Sequence, residues 1–153
     1  MQYARDTQYD FKPLGETTLP RRIADHVRGD TEGNWFQFQG LRTRLGDPKP
    51  IAVTDAFVHG DYAEVAAQIQ SSQATIFRQL EELAGVKVAH VTQDIQAVGA
   101  SAEIAKALDI SRRAPTLRIL RAYRDAKNRI FEISASHHPG DRFAYSMHID
   151  AEG

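Results

Sequence analysis

The chain contains no cysteine, so no disulfide and no thiolate chemistry is available to it, and a fold closed by hydrophobic burial is required. This fits a reducing cytoplasm. Charge of one sign is missing as well. With 19 Lys and Arg against 20 Asp and Glu, the formal net charge is −1, which leaves no electrostatic footprint for nucleic acid or an acidic membrane. No apolar run approaches the roughly 20 residues needed to cross a bilayer. The opening Met-Gln-Tyr-Ala-Arg-Asp has none of the apolar core of a signal peptide. There is no internal repeat and no low-complexity tract. G-x-S-x-G, the P-loop and G-x-G-x-x-G are also missing, so neither a cofactor motif nor a nucleophile–base pair is in view. The six histidines are not at metal-ligand spacing, and His137 and His138, adjacent on a strand, face opposite ways. No metal and no cofactor is expected.

What is present is a length of 153 residues and 42% hydrophobic content, enough for one domain with a real core. Residues 115–149 predict three strands in a row, 116–124, 129–138 and 142–149. Phe143, Tyr145, Met147 and Ile149 alternate on one face of the last. In the second, Phe131, Ile133 and Ala135 share one face and Glu132, Ser134, Ser136 and His138 the other. Asp-Ala-Lys-Asn at 125–128 and Pro-Gly-Asp at 139–141 are turn chemistry, and links so short imply antiparallel neighbours.

Upstream, residues 1–16 are polar and aperiodic and predict a lead-in arm, leaving a domain over 17–150. Leu19, Ile23 and Val27 predict a short helix started near Thr17, Thr18 and Pro20 and ended by Gly29. Strands are expected over 35–45 and 50–58, two helices over 61–69 and 75–84, and a strand over 86–97 with Ala89, Val91, Ile95 and Ala97 inward. A helix capped by Ser101 then runs to Leu108. Six strands joined mostly by hairpins, with helices inserted in blocks, give an α+β fold: a mostly antiparallel sheet with helices packed on it.

Three groups of residues stand out. Arg42 and Arg44 fall on the face of Phe36 and Phe38 if Gly40 does not break the phase with a bulge. Two guanidinium forks can clamp a carboxylate or phosphate, although spacing alone favours two side chains emerging into solvent. Glu132, Ser134 and His138 can hydrogen-bond a ligand, or form the wet face of a strand. Thr75, with the amides of Ile76 and Phe77, opens a helix, which is either an anion site or an ordinary N-cap.

The runs Pro115-Thr-Leu-Arg-Ile-Leu-Arg-Ala-Tyr-Arg-Asp, Ile130-Phe-Glu-Ile-Ser-Ala-Ser and Gly140-Asp-Arg-Phe-Ala-Tyr resemble the second half of the UTRA domain, the ligand-sensing domain of HutC-subfamily GntR transcription regulators. Leu41-Arg-Thr-Arg-Leu-Gly-Asp-Pro-Lys-Pro-Ile-Ala-Val resembles that family's Arg-containing strand, turn and Pro-led return strand. Ala74-Thr-Ile-Phe resembles its helix start, and 100–108 its Ala-rich helix. The resemblance, over roughly 15–150, implies a chorismate-lyase-like fold, a small-metabolite effector and a homodimer. It carries ligand roles onto Arg42, Arg44, Thr75 and Glu132. Thr54 and His138 stand where sugar-phosphate-binding members can have Glu and Tyr, which argues against a sugar phosphate and leaves the anion clamp. The family's winged helix-turn-helix is expected to act from a separate N-terminal domain, since residues 1–16 are too few for it. The enzyme alternative is a lyase acting on a small carboxylate.

Overall fold

The computed structural model describes residues 7–71 and 74–151. Its elements are β1 (Thr7–Thr18), α1 (Arg21–Ala24), β2 (Asn34–Arg44), β3 (Asp47–His59), a 3₁₀ turn (Gly60–Tyr62), α2 (Ala63–Ala66), α3 (Ile76–Ala84), β4 (His90–Gly99), α4 (Ala102–Leu108), β5 (Pro115–Arg124) and β6 (Ile130–Pro139). The six strands form one sheet in the order β1-β2-β3-β6-β5-β4, and every neighbouring pair is antiparallel. This is the expected α+β class.

Period two splits the apolar residues between the two faces. On one face α2 and α3 bring Ala66, Ile69, Ile76 and Leu80 against Phe11, Phe38, Ala56, Val58, Tyr123 and Phe131. On the other, Leu19 and Ile23 close over Trp35, Phe57, Leu120, Ala122, Ile133 and Ala135. The helix ends follow their sequence signals. The Thr75 hydroxyl accepts from the amide of Arg78 at 3.4 Å, and that of Ser101 from Ile104 at 3.2 Å. Gly85, at φ +71°, ends α3 in the left-handed conformation that glycine adopts without strain. No helix of the described residues is long and apolar enough to cross a membrane.

Several expectations are corrected. Residues 7–16 are not a lead-in arm but most of β1, hydrogen-bonded along β2. Their alternation is hidden because the register shifts between Pro13 and Gly15, so one phase does not run through the strand. Residues 1–6 of that arm lie outside the described residues. Residues 142–149 are not a strand, and Met147 and Ile149 are 67% and 77% exposed. The reason is topological: β6 already pairs with β3 on one side and β5 on the other, so a hairpin returning from it has no edge to join. The sixth strand is therefore N-terminal rather than C-terminal.

The helix after Thr18 is a single turn with Pro20 before it, although Leu19, Ile23 and Val27 still face one core. Gly40 makes no bulge in β2. The shifts come on either side of Thr43. Strand β4 begins at His90 and its residues are exposed rather than inward, because it is a sheet edge that pairs only with β5. Phe131 packs with the α2–α3 side and not with Ile133 and Ala135, next to a register shift between Tyr123 and Arg124.

The β5–β6 turn does follow its residues. Buried Asp125 accepts from the amides of Lys127 and Arg129, both at 2.9 Å, and from Arg129 Nε at 3.0 Å. Asp125→Ala leaves those donors without their carboxylate and is expected to destabilise the domain by about 1–3 kcal/mol in urea unfolding.

Candidate functional site

Strand β6 lies inside the sheet, and its polar stripe is not a wet face. Glu132, Ser134, Ser136 and His138 are all buried, at 3–8% exposure. They form the floor of a cavity of about 90 Å³, room for several waters or part of a small metabolite. Register explains who joins them. Thr54 pairs with Ser136 and Ala56 with Ser134 from β3, while Arg121 pairs with Ser134 and Tyr123 with Glu132 from β5. Residues directly across an antiparallel sheet share a face, so all of these open on one side. Thr75, Ile76 and Phe77, at the start of α3, line the same cavity from above. The first amides of α3 have no partner within the helix.

Seven of the eight residues singled out in the sequence meet here: Arg42, Thr75, Ile76, Phe77, Glu132, Ser134 and His138. Arg44 does not. It is exposed and lines a separate surface hollow with Asp47, Lys49 and Arg142. Alternation along β2 is unbroken here, since its pairing with β1 runs through Tyr9–Arg42, Gln8–Thr43 and Thr7–Arg44, but Arg44 lies two residues nearer the β2–β3 turn and outside the cavity. The Arg42–Arg44 clamp that the resemblance implies is therefore not assembled.

Arg42 is held in place. Its guanidinium lies 4.9 Å from the centroid of the Tyr9 ring, a cation–π distance, and Nη1 donates to Thr7 Oγ1 at 3.0 Å. Tyr9 in turn lies over Gly40. Burial raises its phenol to about 12. The second guanidinium of the cavity belongs to Arg121, whose Nε donates to Gln93 at 2.7 Å. The ring of Tyr123 stacks on Phe77 with centroids 5.1 Å apart. At the other end His138 stacks on Phe143 at 4.2 Å and meets the Ser136 hydroxyl at 2.9 Å.

Electrostatically, the cavity is neutral except for its guanidiniums. Burial raises Glu132 from an ordinary 4.5 to about 8, against a smaller lowering by Arg121. Its Oε1 has no hydrogen-bond partner among the described residues. Burial, then the charges of Arg121, His137 and Arg42, lower His138 to about 3. Near neutral pH the acid and the imidazole are thus both uncharged, and Arg42 and Arg121 set the sign of the field. The field in the cavity is therefore positive, and the cavity holds a carboxyl group with one unpartnered oxygen among the described residues.

Arg121, Tyr9 and Phe143 were not singled out. The alternation of 116–124 places Ile119, Arg121 and Tyr123 on one face, so Arg121 was available from the sequence once that face was known to be buried. Tyr9 depended on β1, and Phe143 on the path of the chain after β6.

The sequence profile of the UTRA domain matches residues 16–144. The chain belongs to the UTRA domain family. An HTH-type transcriptional regulator of Mycobacterium tuberculosis is 28% identical over 109 residues, which are 69% of this chain and 40% of that protein, so the UTRA chain spans less than half of its relative's length. Among solved structures, the effector domain of PhnF from Mycobacterium smegmatis superposes with a TM-score of 0.79 at 15% identity, covering 98% of this chain and 92% of that one. The C-terminal domain of the histidine utilization repressor from Pseudomonas syringae pv. tomato gives 0.77 at 17% identity, covering 94% and 100%. The fold is that of these regulator domains.

Two outcomes test the site. A Cβ at Gly40 would run into the Tyr9 ring, so Gly40→Ala is expected to displace Tyr9 and cost about 1–3 kcal/mol. The same substitution is expected to cost less in a Tyr9→Ala background, as a double-mutant cycle in urea unfolding would show. Glu132 keeps a proton in the folded state that the unfolded chain loses above about 4.5. Stability is therefore expected to fall as pH rises from about 4.5 to about 8, and then to level off. Glu132→Gln should remove that part of the slope in unfolding curves taken at each pH.

Proposed function

We propose that this UTRA domain is the effector-binding part of a GntR-family, HutC-type transcription regulator, and that its cavity takes a small anionic metabolite. The observation that carries the reading is a buried polar stripe on β6 facing two guanidiniums, in a cavity with no other charge near neutral pH. A purely structural strand in a sheet interior would be apolar on both faces. Arg42, held by Thr7 and Tyr9, is the fixed receptor for the acidic group, with the α3 amides beside Thr75 assisting.

Occupancy would favour one of two arrangements of a homodimer and so reposition a DNA-binding domain that is a separate unit of the regulator. The relatives are transcription regulators, which favours this sensor over the lyase alternative and fits a cytoplasmic protein.

Inorganic phosphate and succinate at millimolar concentration serve as probes. A ligand bound only by the native state raises the melting midpoint. Both are expected to raise it for the wild-type domain, and Arg42→Ala is expected to weaken that binding at least tenfold while keeping a cooperative melt. Equal stabilisation of the variant would overturn the assignment of Arg42.

A further inference from the structure

Glu132 is the odd member of an anion site. A carboxyl group with an unpartnered oxygen in a sheet interior carries a desolvation cost, and a glutamine or an aliphatic side chain would avoid the risk of a buried charge. The two-residue steps along β6 give the cavity a direction. Arg42 pairs with Ala52, next to the Val53–His137 pair, and so sits toward the His138 end. Arg121 is opposite Ser134, and Glu132 is at the far end beside Tyr123. The cations therefore occupy one end and the middle, and the acid closes the other end.

We propose that the effector is dipolar, with an acidic head held by Arg42 and Arg121 and a protonated nitrogen held by the Glu132 carboxylate. This rests on the anion-site reading above and deepens it. The charges agree. With Glu132 ionised, two guanidiniums and one carboxylate leave the site at +1, which matches a ligand carrying two negative charges and one positive. A neutral hydroxyl on the ligand would satisfy the carboxyl group but would not make its ionisation favourable. An ammonium does both, because a charge-assisted pair in a dry site is far stronger than a neutral bond.

A proton is linked to this step. In the empty cavity the carboxyl group keeps its proton; on docking the ammonium, Glu132 gives that proton to solvent and no bond in the ligand changes. The titratable and charged groups that share the cavity with Glu132 are Tyr9 from β1, Arg42 from β2, Arg121 and Tyr123 from β5, and His138 from its own strand. The residues that line the cavity from α3, Thr75, Ile76 and Phe77, are not titratable near neutrality. Burial holds both phenols protonated and the imidazole neutral, so Glu132 is the group of this set that titrates near pH 8.

The test uses two matched pairs that differ in a single ammonium group, glutamate with glutarate and 2-aminoethyl phosphate with ethyl phosphate. Calorimetry at pH 7 in two buffers of different ionisation enthalpy reads both affinity and proton release. In at least one pair the amine is expected to bind tenfold or more tightly than its partner, with net proton release, and Glu132→Gln is expected to close that gap. The variant keeps a neutral group of nearly the same shape, and the proton count on wild-type protein stands independently should it fold poorly. Equal binding within both pairs, or a gap that survives Glu132→Gln, overturns the dipolar assignment and leaves the anion site standing. If inorganic phosphate binds and neither amine does, the dipolar assignment falls alone. If none of these anions binds, the anion-site reading falls with it.

Discussion

The whole arrangement depends on the two faces of β6. Ile133 and Ala135 enter the core under Leu19 and Ile23, while Glu132, Ser134, Ser136 and His138 enter the cavity. In a strand paired on both sides, a slip of one residue would exchange these sets. It would place a carboxyl group and an imidazole against Trp35 and Phe57, and isoleucine in the ligand site. Register in β6 is therefore fixed from both faces at once. The short, hydrogen-bonded turn at Asp125 sets it from one end.

A polar stripe inside a sheet requires an account of its cost. The cavity meets it by keeping its titratable members uncharged and anchoring its permanent charges. Glu132 and His138 are both shifted by burial toward their neutral forms. Arg42 and Arg121, which cannot neutralise, have partners in Thr7, Tyr9 and Gln93. The empty domain thus folds without an isolated buried charge, and the field that remains is set by guanidiniums alone. The side chains that fix it come from β1 at one edge and β4 at the other, so the electrostatics of the centre depend on both edges of the sheet.

The class of fold was legible because strand alternation, turn residues and helix caps are local signals. Thr75, Gly85 and Ser101 do what their residue types suggest. The errors have one origin. Alternation reports that a segment has two unlike faces; it does not report an available neighbour. Residues 142–149 carry the pattern and lack an edge, whereas 7–16 have an edge and a pattern broken at Pro13–Gly15. In β4 the pattern is present and the edge is real, yet Val91 and Ile95 remain 42% and 40% exposed. The partner of each strand is a property of the assembled sheet.

The same distinction governs the arginines. Family resemblance pointed to Arg42 and Arg44 as a clamp on one strand, where spacing alone favoured two side chains emerging into solvent, and only Arg42 of the two lines the cavity. The cavity nevertheless contains two guanidiniums, because Arg121 enters from β5, across β3 and β6 from Arg42. Two forks on one strand would grip a single acidic group from one side. On the proposed reading, forks on different strands, with β6 between them, would address a ligand lying over Ser134 and Ser136 from two directions and leave its remaining end over Glu132. On that reading the ligand would be selected by the spacing between strands, about 5 Å per step, rather than by the spacing between residues along one strand.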